Sequence, residues 1–285
     1  MRKWYIVFLL LIFFGFSAFC SEQISTYTEQ KIAEMLTPHV ALSVCDDGEK
    51  TLQKIILYEE ELETVLPSVA VDLAQERLIL QSLYLLQKQH YSFDAETRSP
   101  ELRKQMKAQR KANEDWIDEH ESEGVCKWMY LFTGDVTSYY MVRSLPATIR
   151  YGMRVKHLYE KALDVDAQFS YAHINLGNWL YYAPKIFGGG VNKAAAQYQA
   201  ALDGARMDKE RYVANIDLSQ YWFEKKNMQK CAEYLLAAER LFPDNQELAL
   251  IRKVNNYGKS LFQYNRDQSG IDEELQEAEK DEDDR

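Results

Sequence analysis

The polar side chains of this 285-residue sequence are equipped for recognition rather than for making or breaking bonds. Its five histidines, His39, His90, His120, His157 and His173, are scattered, and Glu119-His120 has no partner at metal-ligand spacing. No Gly-x-Ser-x-Gly nucleophile motif and no Cys-x-x-Cys pair occurs. The sequence therefore predicts no catalysis, no metal and no cofactor. What remains is a pair of side-chain series at helical spacing. Tyr171, Ile174, Asn178 and Tyr181 form the first, and Val213, Ile216, Gln220 and Phe223 the second. Each is aromatic and aliphatic with one amide. Such a surface suits an apolar ligand carrying one or two polar groups, or an extended peptide. It does not suit the acidic chain end, which would need basic partners. Ile174 and Ile216 also read as ordinary core.

The elements that must position these residues repeat one helical phrase. Val155, Tyr159 and Ala162 share their spacing with Ala194, Tyr198 and Ala201, and with Cys231, Leu235 and Ala238. A small residue, a large one four later and a small one three later let a neighbouring helix approach closely. Leu176-Gly177 and Leu218-Ser219 mark the matching first helices, and from Ser219 to Cys231 is 12 residues, the step of a tight helical hairpin. This is tetratricopeptide spacing. The expected fold is all-α: a tetratricopeptide-like helical-hairpin array with extra N-terminal capping helices. From Gly177 to Ala194 the step is 17 residues. The excess falls in Ala183-Pro184-Lys185-Ile186-Phe187-Gly188-Gly189-Gly190, where Pro184 ends a helix and the glycines permit a close turn. With no strand before it and no Lys-Ser after it, this is no phosphate loop. It is either a longer connection or a loop folded over the mouth of the array.

Residues 1–20 read as an export signal. Arg2 and Lys3 precede an apolar run from Trp4 to Phe19, short for a membrane span and suited to a signal core. Three outcomes stay open: lipidation of Cys20 within Ser17-Ala18-Phe19-Cys20, cleavage after Cys20, or an uncleaved anchor. All three predict a body outside the cytoplasm, in the periplasm of a bacterial envelope. The net charge of −10 is mostly local, since Asp272 to Arg285 holds nine acids and two bases. The body is close to neutral and gives no case for nucleic-acid binding. The tail, 266–285, reads as a disordered solubilising end.

Residues 21–133 read as N-terminal helices and 134–265 as repeats. One helix is expected from Glu29 to Leu36. Another carries Leu52, Ile55, Ile56, Glu59 and Leu62, and a third runs from Pro67 to about Gln89. Its expected inward face is Ala70, Leu73, Ala74, Arg77, Leu78, Gln81 and Leu85. The stretch 98–123 alternates acids and bases with Met106, Ala112 and Trp116 as its regular apolar points, and fits an exposed helix, an insertion or a mobile arm. Gly134-Asp135 reads as a break, after which Thr137 to Arg150 would be a degenerate first helix. Cys231 occupies a small-residue slot, while Cys45 and Cys126 could pair in an oxidising compartment.

The segment Asn175-Leu176-Gly177-Asn178-Trp179-Leu180-Tyr181-Tyr182-Ala183-Pro184, with Gly188-Gly189-Gly190 and Lys193-Ala194, resembles the tetratricopeptide-like T component of TRAP transporters. Pro67 through Gln81 is similar to that family's early helix. The third glycine, Gly190, and the charged stretch before Glu123 depart from it. The resemblance implies an all-helical periplasmic lipoprotein with a capacity to form homo-oligomers. It also implies a TRAP-type substrate-binding protein as partner, and an internal cavity or pore for a small apolar organic ligand. Membrane association would come through Cys20, were it acylated. The alternative is a tetratricopeptide scaffold that binds a peptide or protein subunit. An enclosed, aromatic-lined cavity favours the first reading; an open groove floored by Asn178 and Gln220 favours the second.

Overall fold

A computed structural model describes residues 24–36, 48–91, 100–141, 144–243 and 245–283. The described chain is all-α, with helices and no strands. Its helices are α1 (Thr26–Met35), α2 (Gly48–Thr64), α3 (Leu66–Val69), α4 (Leu73–Tyr91), α5 (Pro100–His120), α6 (Lys127–Met141) and α7 (Leu145–Val165). There follow α8 (Ser170–Tyr182), α9 (Val191–Gly204), α10 (Asp208–Glu224), α11 (Met228–Leu241), α12 (Gln246–Asn256), α13 (Leu261–Arg266) and α14 (Gln268–Asp283). Three antiparallel pairs dominate the packing: α6 with α7, α8 with α9, and α10 with α11.

The repeated phrase fixes these pairs. Ala162, Ala194, Ala201 and Ala238 are fully buried, as are Val155 and Tyr198, and the backbones meet where the side chains are small. A Cβ built on Gly177 would stand 2.4 Å from Tyr198 Cε1, and one built on Gly134 would stand 2.5 Å from Tyr159 Cε1. Gly134 is therefore the contact residue of the first pair and not a break. The array starts with α6 at Lys127, earlier than the expected 134. The expected helix from Thr137 to Arg150 is instead the end of α6 and the start of α7, whose first turn holds Pro146.

The N-terminal helices pack as a cap, α4 touching α1, α2, α5 and α6. Contact on two sides explains why the expected inward face of α4 is displaced. Its buried residues are Ile79, Leu80, Leu83, Tyr84, Leu85 and Leu86 together with Gln75, Glu76, Ser82 and Gln87, while Leu73 is exposed. Glu76 is fully buried because its carboxylate accepts from the Ser25 and Thr28 hydroxyls and from the backbone of Val71, at 2.6 Å, and Asp72. The charged stretch forms α5, packed on α4 and α6. Its buried stripe is Met106, Arg110, Asn113 and Ile117, with Trp116 beside it; Ala112 is exposed. Asn113 donates to Ser82 at 2.9 Å, and Arg154 and Lys161 of α7 pair with Glu114, Asp118 and Glu121.

At the other end α12, α13 and α14 close the array. Leu248, Ile251, Val254, Leu261, Tyr264, Ile271 and Leu275 join Tyr212, Val213 and Ile216 of α10 in a second core. The acidic tail is thus helix rather than disordered chain. Ile271 and Leu275, one turn apart, anchor it, and Tyr264 donates to Asp272 at 3.0 Å. Cys126 and Cys231 are buried free thiols; Cys45 and Cys20 lie outside the described residues.

Candidate ligand cavity

A cavity of about 700 Å³ lies between the cap and the first repeats. Helix α4 contributes Leu83, Leu86, Gln87 and His90, and α6 contributes Leu131, Asp135, Ser138, Tyr139 and Met141. From α7 come Leu145, Thr148, Ile149, Gly152, Met153 and Tyr159; from α8 come Tyr171, Asn175, Asn178, Trp179 and Tyr182. Ala183, Pro184 and Phe187, with Leu36, complete the wall. The walls are predominantly apolar and the volume is that of an ordinary small-molecule site.

Three helices meet at one carboxyl in this wall. Tyr159 of α7 donates to Asp135 Oδ1 at 2.9 Å, and Asn175 of α8 donates to the same oxygen at 2.7 Å. Ser138 lies 3.2 Å from the Tyr159 hydroxyl. Asp135 sits deep in the array, and burial pushes its carboxyl up to about 7 despite those two donors. Burial and the nearby Asp135 also hold the Tyr159 hydroxyl well above the usual tyrosine range, and push Tyr139 up to about 12. Among the described residues no lysine or arginine lines the cavity. Trp179 is fixed in the wall by donating to the Gly152 carbonyl at 2.8 Å.

The structure distributes the sequence-predicted residues unevenly. Tyr171 and Asn178 line the cavity, together with Pro184. Tyr171 is buried and its hydroxyl has no hydrogen-bond partner among the described residues, while Asn178 Oδ1 accepts from Tyr198 at 2.9 Å. Tyr181 points elsewhere, donating to Glu224 and packing on Phe262 with ring centres 4.2 Å apart. Gln220 is fully buried, bonded both ways to Asn255 and accepting from Leu261 N at 2.8 Å. Phe223 is half-buried on α10, outside the cavity. Ile174 and Ile216 are core.

The proline-glycine loop forms one edge of the cavity. Pro184 leads into a single 3-10 turn, Lys185–Phe187, which ends at Gly188 with φ +93°. A Cβ on Gly189 would lie 1.9 Å from the Ala183 carbonyl oxygen, so this position admits only glycine. Gly190 is extended, precedes α9 and meets only the Lys193 side chain. Its N–H donates to the Leu180 carbonyl at 2.8 Å, which folds the loop back on α8.

Asp135 was not among the predicted residues, although a signal for it exists. Gly134-Asp135, Gly177-Asn178 and Ser219-Gln220 occupy one register, a small contact residue followed by an inward polar one. The repeat frame therefore names Asp135 once Gly134 is read as a contact rather than a break. Among the described residues no group of three His, Cys, Asp or Glu side chains could hold a metal. No helix among them is long and apolar enough to cross a membrane. No protein-family model, curated protein or solved structure matches the chain.

Proposed function

We propose that this chain is a ligand-binding accessory of an envelope transport system, comparable in role to the T component of TRAP transporters. In this reading it holds a small apolar organic molecule in the cavity between α4, α6, α7 and α8 and passes it to, or receives it from, a substrate-binding protein. The observation that carries the reading is the cavity itself: about 700 Å³, walled by leucine, methionine, isoleucine and aromatic side chains, and edged by the segment that bears the resemblance. Around it, Leu145, Ile149 and Met153 of α7 and Ile186 and Phe187 of the loop are exposed, Ile186 by 85%. Apolar side chains left bare at a cavity rim suit the docking of a second protein. A peptide-binding scaffold would need an open inner surface at Gln220, and α12 and α13 occupy that surface.

The test uses Trp179 as reporter. Decan-1-ol, which is neutral, is titrated into the protein, with Trp179→Phe as the control that isolates the cavity signal. A saturable fluorescence change in the parent, absent from the control, is the expected result. A flat titration of folded protein would remove the reading.

A further inference from the structure

Resting on that reading, we infer that the ligand carries a positively charged head, an amine or ammonium on an apolar body, and that Asp135 is the group that receives it. The geometry is specific. Both protein donors, the Tyr159 hydroxyl and the Asn175 amide, come to Oδ1, at 2.9 and 2.7 Å. Oδ2 takes no hydrogen bond from a described side chain, and Asp135 keeps partial exposure on the cavity. Tyr139, Tyr171 and Trp179 line the same space, and aromatic faces attract cations. A bound carboxylate or sulfonate would instead face this carboxyl with no lysine or arginine among the described lining residues to offset the repulsion. A neutral head would leave the ionised form of Asp135 without a counter-charge.

The same site makes binding depend on pH. Burial holds the Asp135 carboxyl up at about 7, so it is largely neutral below that value and ionised above it. The other titratable groups among the described residues on the cavity are Tyr139 of α6, Tyr159 of α7, Tyr171 and Tyr182 of α8, and His90 of α4. Burial raises all four tyrosines, which stay neutral across this range. An alkylammonium remains charged throughout, as lysine does. Its affinity therefore tracks the ionised fraction of Asp135, which grows about tenfold from pH 6 to pH 8. His90 faces the same space, and the Asp135 variant isolates the part played by the carboxyl.

The experiment compares decylammonium, decan-1-ol and decanoate on the full chain by calorimetry at pH 6 and pH 8. Decylammonium is expected to bind about tenfold or more tighter than decan-1-ol at pH 8, as a charge-assisted hydrogen bond requires. Most of that advantage should be lost at pH 6. In Asp135→Asn, whose folding is checked by circular dichroism, decylammonium and decan-1-ol should bind alike at both pH values. If decan-1-ol binds but decylammonium binds no better, or if the pH dependence persists in Asp135→Asn, the inference is overturned and the apolar-ligand reading stands. If decanoate is the tightest of the three, the sign of the inference is wrong. If none binds, the inference fails together with the reading beneath it.

Discussion

The Tyr159 hydroxyl donates to Asp135 at 2.9 Å, and one repeat later Tyr198 donates to Asn178 at the same distance. In both pairs the tyrosine ring lies against the glycine that precedes the acceptor, Gly134 or Gly177. The glycine allows the ring in, and the ring carries its hydroxyl to the inward polar residue. In the third pair Leu235 stands where the tyrosine would be. Gln220, lacking that hydroxyl, is turned to Asn255 and Leu261 instead. One aromatic-to-aliphatic change thus separates the repeats that line a cavity from the one that is closed by core.

Asparagine at 178 shows that an amide fits this arrangement, so Asp135→Asn should keep the fold and change its pH dependence. The Asp135 carboxyl is raised from 3.8 to about 7 in the folded protein. A carboxyl raised by folding stabilises through its protonated form. Its contribution is complete below about pH 3.8 and is lost as pH rises through about 7. Urea unfolding should show the parent losing roughly 2–3 kcal/mol relative to Asp135→Asn between pH 5 and pH 8. Parallel stability profiles for the two proteins would mean that Asp135 is not held up by its site.

Gly177→Ala should destabilise the protein by about 1–3 kcal/mol, because the added methyl would stand 2.4 Å from the Tyr198 ring. In a Tyr198→Leu background the same change should cost nothing, or gain roughly 0.5–1 kcal/mol from the better helix former. That background copies the third repeat, which has Ser219 and Leu235 at the corresponding positions. A double-mutant cycle by thermal unfolding reads the coupling directly, and additive effects would contradict the ring-on-glycine contact.

The repeat frame was legible in the sequence because small and large residues alternate at a fixed spacing around Ala162, Ala201 and Ala238. The first helix of the array was missed because Gly134 carries the ordinary signature of a helix break. Its reason for being glycine is a tyrosine 25 positions away. The face of α4 was misread because buried Gln75, Glu76 and Ser82 disguise the apolar period, each being satisfied by a partner outside α4. Arg110 and Asn113 hide α5 in the same way. The tail misled through charge density, although Ile271 and Leu275 are buried in the second core and dock it. Of the candidate site, Tyr171 and Asn178 were visible from spacing. Tyr181 and Gln220 belong to contacts with Phe262, Asn255 and Leu261, distant in sequence and without a periodic signal.

The two glycines before α9 should respond oppositely to a side chain. Gly189→Ala drives a methyl into the Ala183 carbonyl and should cost about 2 kcal/mol or more, moving Pro184 and Phe187 off the cavity edge. Gly190→Ser places a hydroxyl at the uncapped start of α9, where only the Lys193 side chain is near, and should gain a few tenths of a kcal/mol. Chemical denaturation of the two variants checks both signs.

Glu76→Ala should cost roughly 3 kcal/mol, since it strips an acceptor from Ser25, Thr28, Val71 and Asp72 at once in a buried position. Loosening should concentrate at α1 and the start of α4. Hydrogen exchange that stays protected at the Val71 and Asp72 amides in this variant would contradict the role given to the carboxylate.

The most direct test of the cavity as a binding site fills it from within. A Cβ added at Gly152, a half-buried residue of α7 that lines the cavity, meets no atom within 4 Å, so a side chain can start there without a backbone clash. Calorimetric titration of decan-1-ol should give saturable binding to the parent and none to Gly152→Phe, with both proteins equally stable. Equal binding by the two proteins would contradict a ligand site between α4, α6, α7 and α8.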